Sequence, residues 1–126
     1  MADKLAVMVI DDEEIVRKRL KSSLEKEGYD VETFSDGRYA IERMAKKKFD
    51  IIVTDVRMDD VDGLEVLEHV VSSAPESKVI IITGYATVEL AREALVKGAM
   101  DFIAKPFKPS DLRAVIEKAS EEIKKK

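Results

Sequence analysis

At 126 residues, the chain is long enough for one well-buried core and too short for two. Its 45% hydrophobic and 38% charged residues describe a folded, well-solvated domain rather than a disordered segment. A net charge of -4, from 22 basic and 26 acidic residues with no basic stripe, argues against a nucleic-acid partner; the absence of cysteine excludes disulfides and thiolate metal sites.

Leu5 to Ile10 is a continuous apolar run of strand length. It is far too short to span a bilayer, and it ends in Asp11-Asp12-Glu13-Glu14 with no small-residue cleavage site. Neither a membrane association nor a signal peptide is expected, and the expected location is the cytoplasm. The acid-rich stretch opens a helix with Val16, Leu20 and Leu24 at a spacing of four, and Gly28 is its natural stop. Val31-Glu32-Thr33-Phe34 alternates apolar and polar like a half-exposed strand. Ser35 and Asp36 can cap a second helix with Ile41, Met44 and Ala45 on one face. Asp50 to Asp55 predicts a third, buried strand. After an acidic loop, Leu64, Leu67, Val70 and Val71 mark a third helix, followed by Pro75. Val79 to Ile82 is the most hydrophobic strand. Thr87 can cap a fourth helix, with Val88, Ala91 and Leu95 expected inward and Gly98 at its end. Met100 to Ala104 predicts a fifth strand. Pro109 stands in the first turn of a last helix, whose Leu112, Val115, Ile116, Ala119 and Ile123 give the cleanest helical period. Lys124-Lys125-Lys126 either complements the dipole of that helix or forms a solvated tail.

Five strands alternating with five helices predict an α/β domain, a doubly wound parallel sheet covered on both faces. The order 2-1-3-4-5 fits best, because it puts the alternating second strand at an edge and the most apolar runs inside. No linker, repeat or low-complexity stretch interrupts the pattern.

Ligands of such a sheet bind beyond the carboxyl ends of the strands, where the order reverses. Asp11 and Asp12 leave the first strand there and Asp55 leaves the third, on neighbours about 4.8 Å apart. Carboxylates so crowded raise one another's pKa unless a cation sits among them. An oxygen-only set without Cys or His suits Mg²⁺ or Mn²⁺. Thr83 ends the fourth strand, where its hydroxyl either caps a turn or serves the site. Lys105 ends the fifth, attracted inward by three carboxylates. It precedes Pro106, and such a bond occurs in either isomer. Asp50, at the start of the third strand, belongs at the opposite edge. Asp59, Asp60 and Asp62 read first as turn residues before Gly63.

Four segments together resemble the receiver domain of two-component response regulators: Val9-Ile10-Asp11-Asp12-Glu13, Val53-Thr54-Asp55-Val56-Arg57-Met58 with Asp62-Gly63, Ile81-Ile82-Thr83-Gly84, and Phe102-Ile103-Ala104-Lys105-Pro106-Phe107. Each is weak alone; all four, in this order and at helix-length spacing, are highly specific. The resemblance covers essentially the whole chain and implies one flavodoxin-like receiver domain, 1–126.

It further implies that Asp55 is the phosphoacceptor and that Asp12 ligates Mg²⁺ directly, Asp11 largely through water, and the backbone carbonyl of Arg57 as well. Lys105 would pair with phosphoryl oxygens and Thr83 would hydrogen-bond one of them. Phe102 stands at the position of the family's switch aromatic, although without the resemblance a static core aromatic would be the better reading. Arg57 and Tyr85, two residues beyond Asp55 and Thr83, stand where the family tunes self-dephosphorylation; they are otherwise two exposed loop residues. Asp59 replaces the family's common Pro, and Phe102 lacks a hydroxyl, so its switching would rest on burial.

The implied partners are a sensor histidine kinase or phosphotransfer protein and an output protein or domain, with a monomer or a phosphorylation-dependent dimer as the assembly. Such a protein accepts a phosphoryl group rather than turning over small substrates. Thr83-Gly84-Tyr85-Ala86-Thr87 also resembles receivers attached to enhancer-binding transcription activators; a single chemotaxis or phosphorelay receiver is the other form. Two rivals fit worse. A haloacid dehalogenase-like phosphatase needs an acid/base Asp where Arg57 stands, and its acidic pair comes last in the chain. A flavodoxin-type FMN carrier needs a first loop that cradles phosphate, which Asp11-Asp12-Glu13-Glu14 would repel.

Overall fold

Residues 4–58 and 61–124 of the chain are described by a computed structural model. Asp59 and Asp60, with the readings attached to them, and Lys125 and Lys126 lie outside the described residues. The elements run β1 Ala6–Ile10, α1 Glu14–Lys26, β2 Asp30–Phe34, α2 Gly37–Met44 and β3 Ile51–Asp55. They continue with α3 Gly63–Ser73, β4 Lys78–Thr83, α4 Val88–Val96, β5 Asp101–Ala104 and α5 Pro109–Lys124.

All four strand pairings are parallel, and the sheet order is β2-β1-β3-β4-β5, the expected doubly wound arrangement. The three central strands carry almost unbroken apolar runs because both of their faces are covered. Met8, Ile10, Ile52 and Ile81 pack on one face with Val66, Leu67 and Val70 of α3. The alternate residues, Val7, Val9, Val53 and Ile80, pack on the other with Leu20 and Leu24 of α1 and Leu112 and Ile116 of α5. These side chains are almost fully removed from water, at about 25 cal/mol per Å² of apolar surface buried.

Local chemistry sets the helix ends. Gly28 and Gly98 follow α1 and α4 with φ of +93° and +112°, a region that other residues rarely adopt. Asp36 caps α2 by accepting the Tyr39 amide at 3.0 Å, and Thr87 caps α4 by accepting the Leu90 amide at 3.1 Å. Asp62 and Glu65 form a reciprocal capping box at α3.

Three expected faces need correction. In α4, Val88 and Leu95 are 69% and 49% exposed; the inward residues are Ala94, fully buried, and Leu90. The apolar stripe follows Leu90 and Ala94 at helical spacing, and Ala91 is only half-buried. In α3, Val71 points outward at 42% exposure while Val66, Leu67 and Val70 hold the sheet. Ala45 lies just past α2 and is exposed, its place in the core being taken by Ala40. Among the described residues no helix is long and apolar enough to cross a membrane.

Candidate functional site

The carboxyl ends of β1, β3 and β5 converge on one ammonium group. Lys105, directly after β5, places its Nζ 2.7 Å from Asp11 Oδ2, 2.9 Å from Asp55 Oδ2 and 3.1 Å from Glu13 Oε1. To do so it crosses the end of β4, which lies between β5 and β3. The Lys105 amide donates to the Thr83 carbonyl at 2.8 Å, and the Lys105-Pro106 bond is cis.

Each acid is held by its own backbone surroundings. Asp11 is fully buried. Its amide donates to the Phe34 carbonyl at 3.0 Å and its Oδ1 accepts the Glu13 amide at 2.9 Å. Arg17 donates to the Asp11 carbonyl at 2.7 Å, fixing the start of α1 against the site. Asp55 is 6% exposed, and its Oδ1 accepts the Val56 amide at 2.7 Å, leaving Oδ2 for Lys105. The loop behind it closes tightly: the Gly63 amide donates to the Val56 carbonyl at 2.8 Å, and a Cβ on Gly63 would overlap the Asp55 carbonyl oxygen. Asp12 is exposed at the mouth.

Ligand atoms from Asp11, Asp12, Glu13 and Asp55 lie within 4.8 Å of one another. Among the described residues, four carboxylates against one ammonium leave a strongly negative pocket. All its donors are hard oxygens, the set that Mg²⁺ takes when it keeps part of its water shell. Burial pushes the Asp11 carboxyl above its usual range, and the hydrogen bonds from Lys105 and the Glu13 amide only partly oppose it. Burial also works against the Lys105 charge, but its bonds to Asp11 and Asp55 outweigh that, holding it above the ordinary lysine value.

Thr83 ends β4 fully buried, and its Oγ1 accepts the Tyr85 amide at 3.0 Å, so the hydroxyl does cap the turn. Phe102 pairs in register with Ile81 on β4, while Thr83 pairs with Ala104. Thr83 and Phe102 therefore share a face of the sheet, two residue pairs apart along the strands. Phe102 is half-buried against the core on that face. At the mouth, the exposed Arg57 and Tyr85 stack on each other, with the guanidinium carbon 4.2 Å from the ring centroid. Asp50 sits at the opposite edge, where its Oδ2 accepts the Ala6 amide at 2.8 Å and holds the start of β1.

Glu13 is the residue that the sequence reading passed over. An acid at the start of a helix reads as a partner for the dipole, and only the fold brings it to Lys105. A separate cavity, about 590 Å³, opens between α2 and α3 at the amino ends of β3 and β4, lined by Met44, Phe49, Ile52, His69 and Val70. Among the described residues it gathers no set of carboxylates; those meet at the carboxyl ends of the strands.

The model of the response regulator receiver domain family matches residues 7–117, and the chain belongs to that family, whose members are the receiver domains of two-component signalling. Over 117 residues it is 37% identical to the transcriptional regulatory protein ZraR of Escherichia coli (strain K12), covering 93% of this chain and 26% of ZraR. Over 115 residues it is 32% identical to the chemotaxis protein CheY of Thermotoga maritima, covering 90% of this chain and 96% of CheY. The chain thus spans about a quarter of the length of ZraR and nearly all of CheY. Among solved structures, the beryllofluoride-activated NtrC4 receiver domain dimer is similar at a TM-score of 0.89 and 38% identity, covering 94% of this chain and 98% of that one. A response regulator from Burkholderia pseudomallei, solved with a phosphorylated aspartic acid, calcium ion and citrate, is similar at 0.84 and 30%, covering 94% and 70%.

Proposed function

We propose that the protein, read as a single receiver domain over 1–126, is a phosphorylation-activated switch in which Asp55 accepts a phosphoryl group from phosphohistidine on a sensor kinase or phosphotransfer protein. The observation that carries this reading is the ammonium of Lys105, bonded at once to Asp55, Asp11 and Glu13. An Asp55 oxygen attacks phosphorus, the P–N bond of the donor breaks, and the imidazole leaves with the electron pair. Such a transfer needs positioning and charge neutralisation rather than covalent help. Asp55 is held for it by the Val56 amide, and Lys105 is already within reach of the oxygens that a phosphoryl group would bring.

Asp12, Asp11, Asp55 and the backbone carbonyl of Arg57 are the groups that would hold Mg²⁺. When bound, the ion supplies positive charge to the phosphoryl oxygens. The neighbour with a phosphorylated aspartic acid and a calcium ion supports this assignment.

Phosphorylation adds roughly -1.5 to -2 charges and new acceptor oxygens. The Thr83 hydroxyl, which accepts from the Tyr85 amide, swings to donate its own proton to a phosphoryl oxygen, and Phe102, on the same face of the sheet, moves toward the space released. The result is a population shift that reshapes the surface of α4, β5 and α5 for an output protein or domain. A dimer of the phosphorylated form has a precedent in the activated NtrC4 receiver. The location is cytoplasmic, with the kinase and the output as partners. A haloacid dehalogenase-like phosphatase finds no support, because its acid/base position is Arg57, which stacks on Tyr85.

The test is incubation with acetyl phosphate and Mg²⁺, followed by intact mass measurement beside Asp55→Asn. One phosphoryl group gained, and lost with EDTA or in the variant, is the expected result. No gain with metal bound would refute the reading and leave a receiver fold without receiver chemistry.

A further inference from the structure

Glu13 occupies a position that a helix would ordinarily fill otherwise. It is the N-cap residue of α1, where Ser, Thr, Asp or Asn are preferred, and its side chain makes no capping hydrogen bond. Its carboxylate instead reaches Lys105 Nζ at 3.1 Å, across 92 residues of chain. A local rule broken at the edge of a functional site points to a role in the site.

The valence of Lys105 defines that role. An ammonium has three N–H groups, and here the three acceptors are Asp11, Asp55 and Glu13. A phosphoryl group on Asp55 Oδ2 takes over the N–H that this oxygen now holds, but a second bond from Lys105 to it finds no unused donor. Asp11 is fully buried and would be left without its counter-charge. Glu13 is 57% exposed and can exchange the ammonium for water at small cost.

We propose that Glu13 is a positioning residue that holds Lys105 in the unphosphorylated protein and competes with the incoming phosphoryl group for its third N–H. The inference rests on the phosphoacceptor reading of Asp55. Glu13 then biases the protein toward its resting state in two ways: it occupies the donor, and its negative charge opposes that of the phosphoryl group. Because Glu13 is more than half open to water, although Lys105 is only 15% exposed, the bias is modest and sensitive to salt.

The experiment is an NMR titration with beryllofluoride, a phosphoryl mimic, at saturating Mg²⁺, comparing wild type, Glu13→Gln and Glu13→Ser. Saturation with Mg²⁺ is verified separately for each protein, since removing a carboxylate also weakens cation binding. Both variants should bind beryllofluoride about two- to five-fold more tightly at low salt, the range expected of a half-exposed ion pair, with the gain shrinking at high salt. In metal-free protein, the ¹H–¹⁵N signal of the Lys105 ammonium should shift in both. Glu13→Ser also restores a good cap, so a gain that tracks helix stability, in Ser but not in Gln, overturns the proposal. Unchanged or weaker binding in both variants also overturns it. If wild type itself takes up no beryllofluoride, the phosphoacceptor reading fails instead; the inference fails with it, and the ammonium signal still reports whether Glu13 holds Lys105.

Discussion

The guanidinium of Arg57 lies over the ring of Tyr85, 4.2 Å from its centroid, and joins the loop after β3 to the loop after β4 at the mouth of the acidic pocket. Two side chains that stack across an entrance restrict the approach of water to what lies behind it. An exposed cation–π contact contributes about 0.5–1 kcal/mol. Replacing both residues by Ala should shorten the lifetime of the aspartyl phosphate by about two- to five-fold, the rate equivalent of that contact. Each single replacement should give most of the effect, because partners in one contact are not additive. The loss of phosphoryl mass with time is the measurement, and an unchanged lifetime in the double variant would reject the idea.

Lys105→Met removes the cation that pairs with buried Asp11 among the described residues. Breaking a buried pair by deleting one member costs roughly 3 kcal/mol, since the remaining charge stays out of water. Thermal unfolding in EDTA should therefore show a markedly lower Tm than wild type. Added Mg²⁺ should raise the Tm of the variant more than that of wild type, because a cation then does for Asp11 and Asp55 what the ammonium no longer does. Equal stability in EDTA would contradict this account.

Gly63→Ala tests the tight closure behind Asp55. The added Cβ meets backbone, with the Asp55 carbonyl oxygen and the Val56 Cα (2.8 Å) in its way, and backbone cannot swing aside as a side chain can. The expected result is a loss of about 1–3 kcal/mol in urea unfolding, the usual range for overpacking, together with slower phosphoryl uptake. Normal stability and uptake would show that the loop yields freely.

At the β2 edge of the sheet, Arg43 grips Glu32 through two nitrogens, at 2.9 and 3.1 Å, and Lys47 bridges Glu32 and Asp30 at 2.9 Å each. The hydrogen bond from Arg43 is the main reason that the Glu32 carboxyl falls from 4.5 to about 2; partial burial opposes it and Lys47 reinforces it. A carboxyl lowered by folding contributes stability above its unfolded pKa and loses it as pH falls through the folded value. The Tm advantage of wild type over Glu32→Gln should thus be full above about pH 4.5 and fade toward pH 2. A gap independent of pH over that window would refute the assignment.

Strand positions and sheet order were legible because a strand buried on both faces must be apolar throughout, as Ile51 to Val53 and Val79 to Ile82 are, whereas β2, at an edge, alternates. The convergence of Asp11, Asp12, Asp55 and Lys105 followed from topology alone, since parallel strands deliver their ends to one edge. The inward face of α4 was not legible. Its apolar residues Val88, Leu90, Ala91, Ala94, Leu95 and Val96 nearly encircle the helix, so no single stripe stands out, and only packing selects Leu90 and Ala94. Glu13 escaped for a different reason: its partner is 92 residues away, and nothing near it in sequence announces that contact.

The ammonium bridge joins residues 94 and 50 positions apart, and its cation comes from the last strand to be made. During synthesis Asp11 and Asp55 leave the ribosome long before Lys105, and loops of that length close late in folding. A nascent, truncated or half-folded copy thus carries the Asp55 carboxylate without the Lys105 counter-charge at its side. On the proposed reading, such a copy is a poor substrate for the kinase, so chemical competence certifies a finished fold and defective copies do not drain the signal.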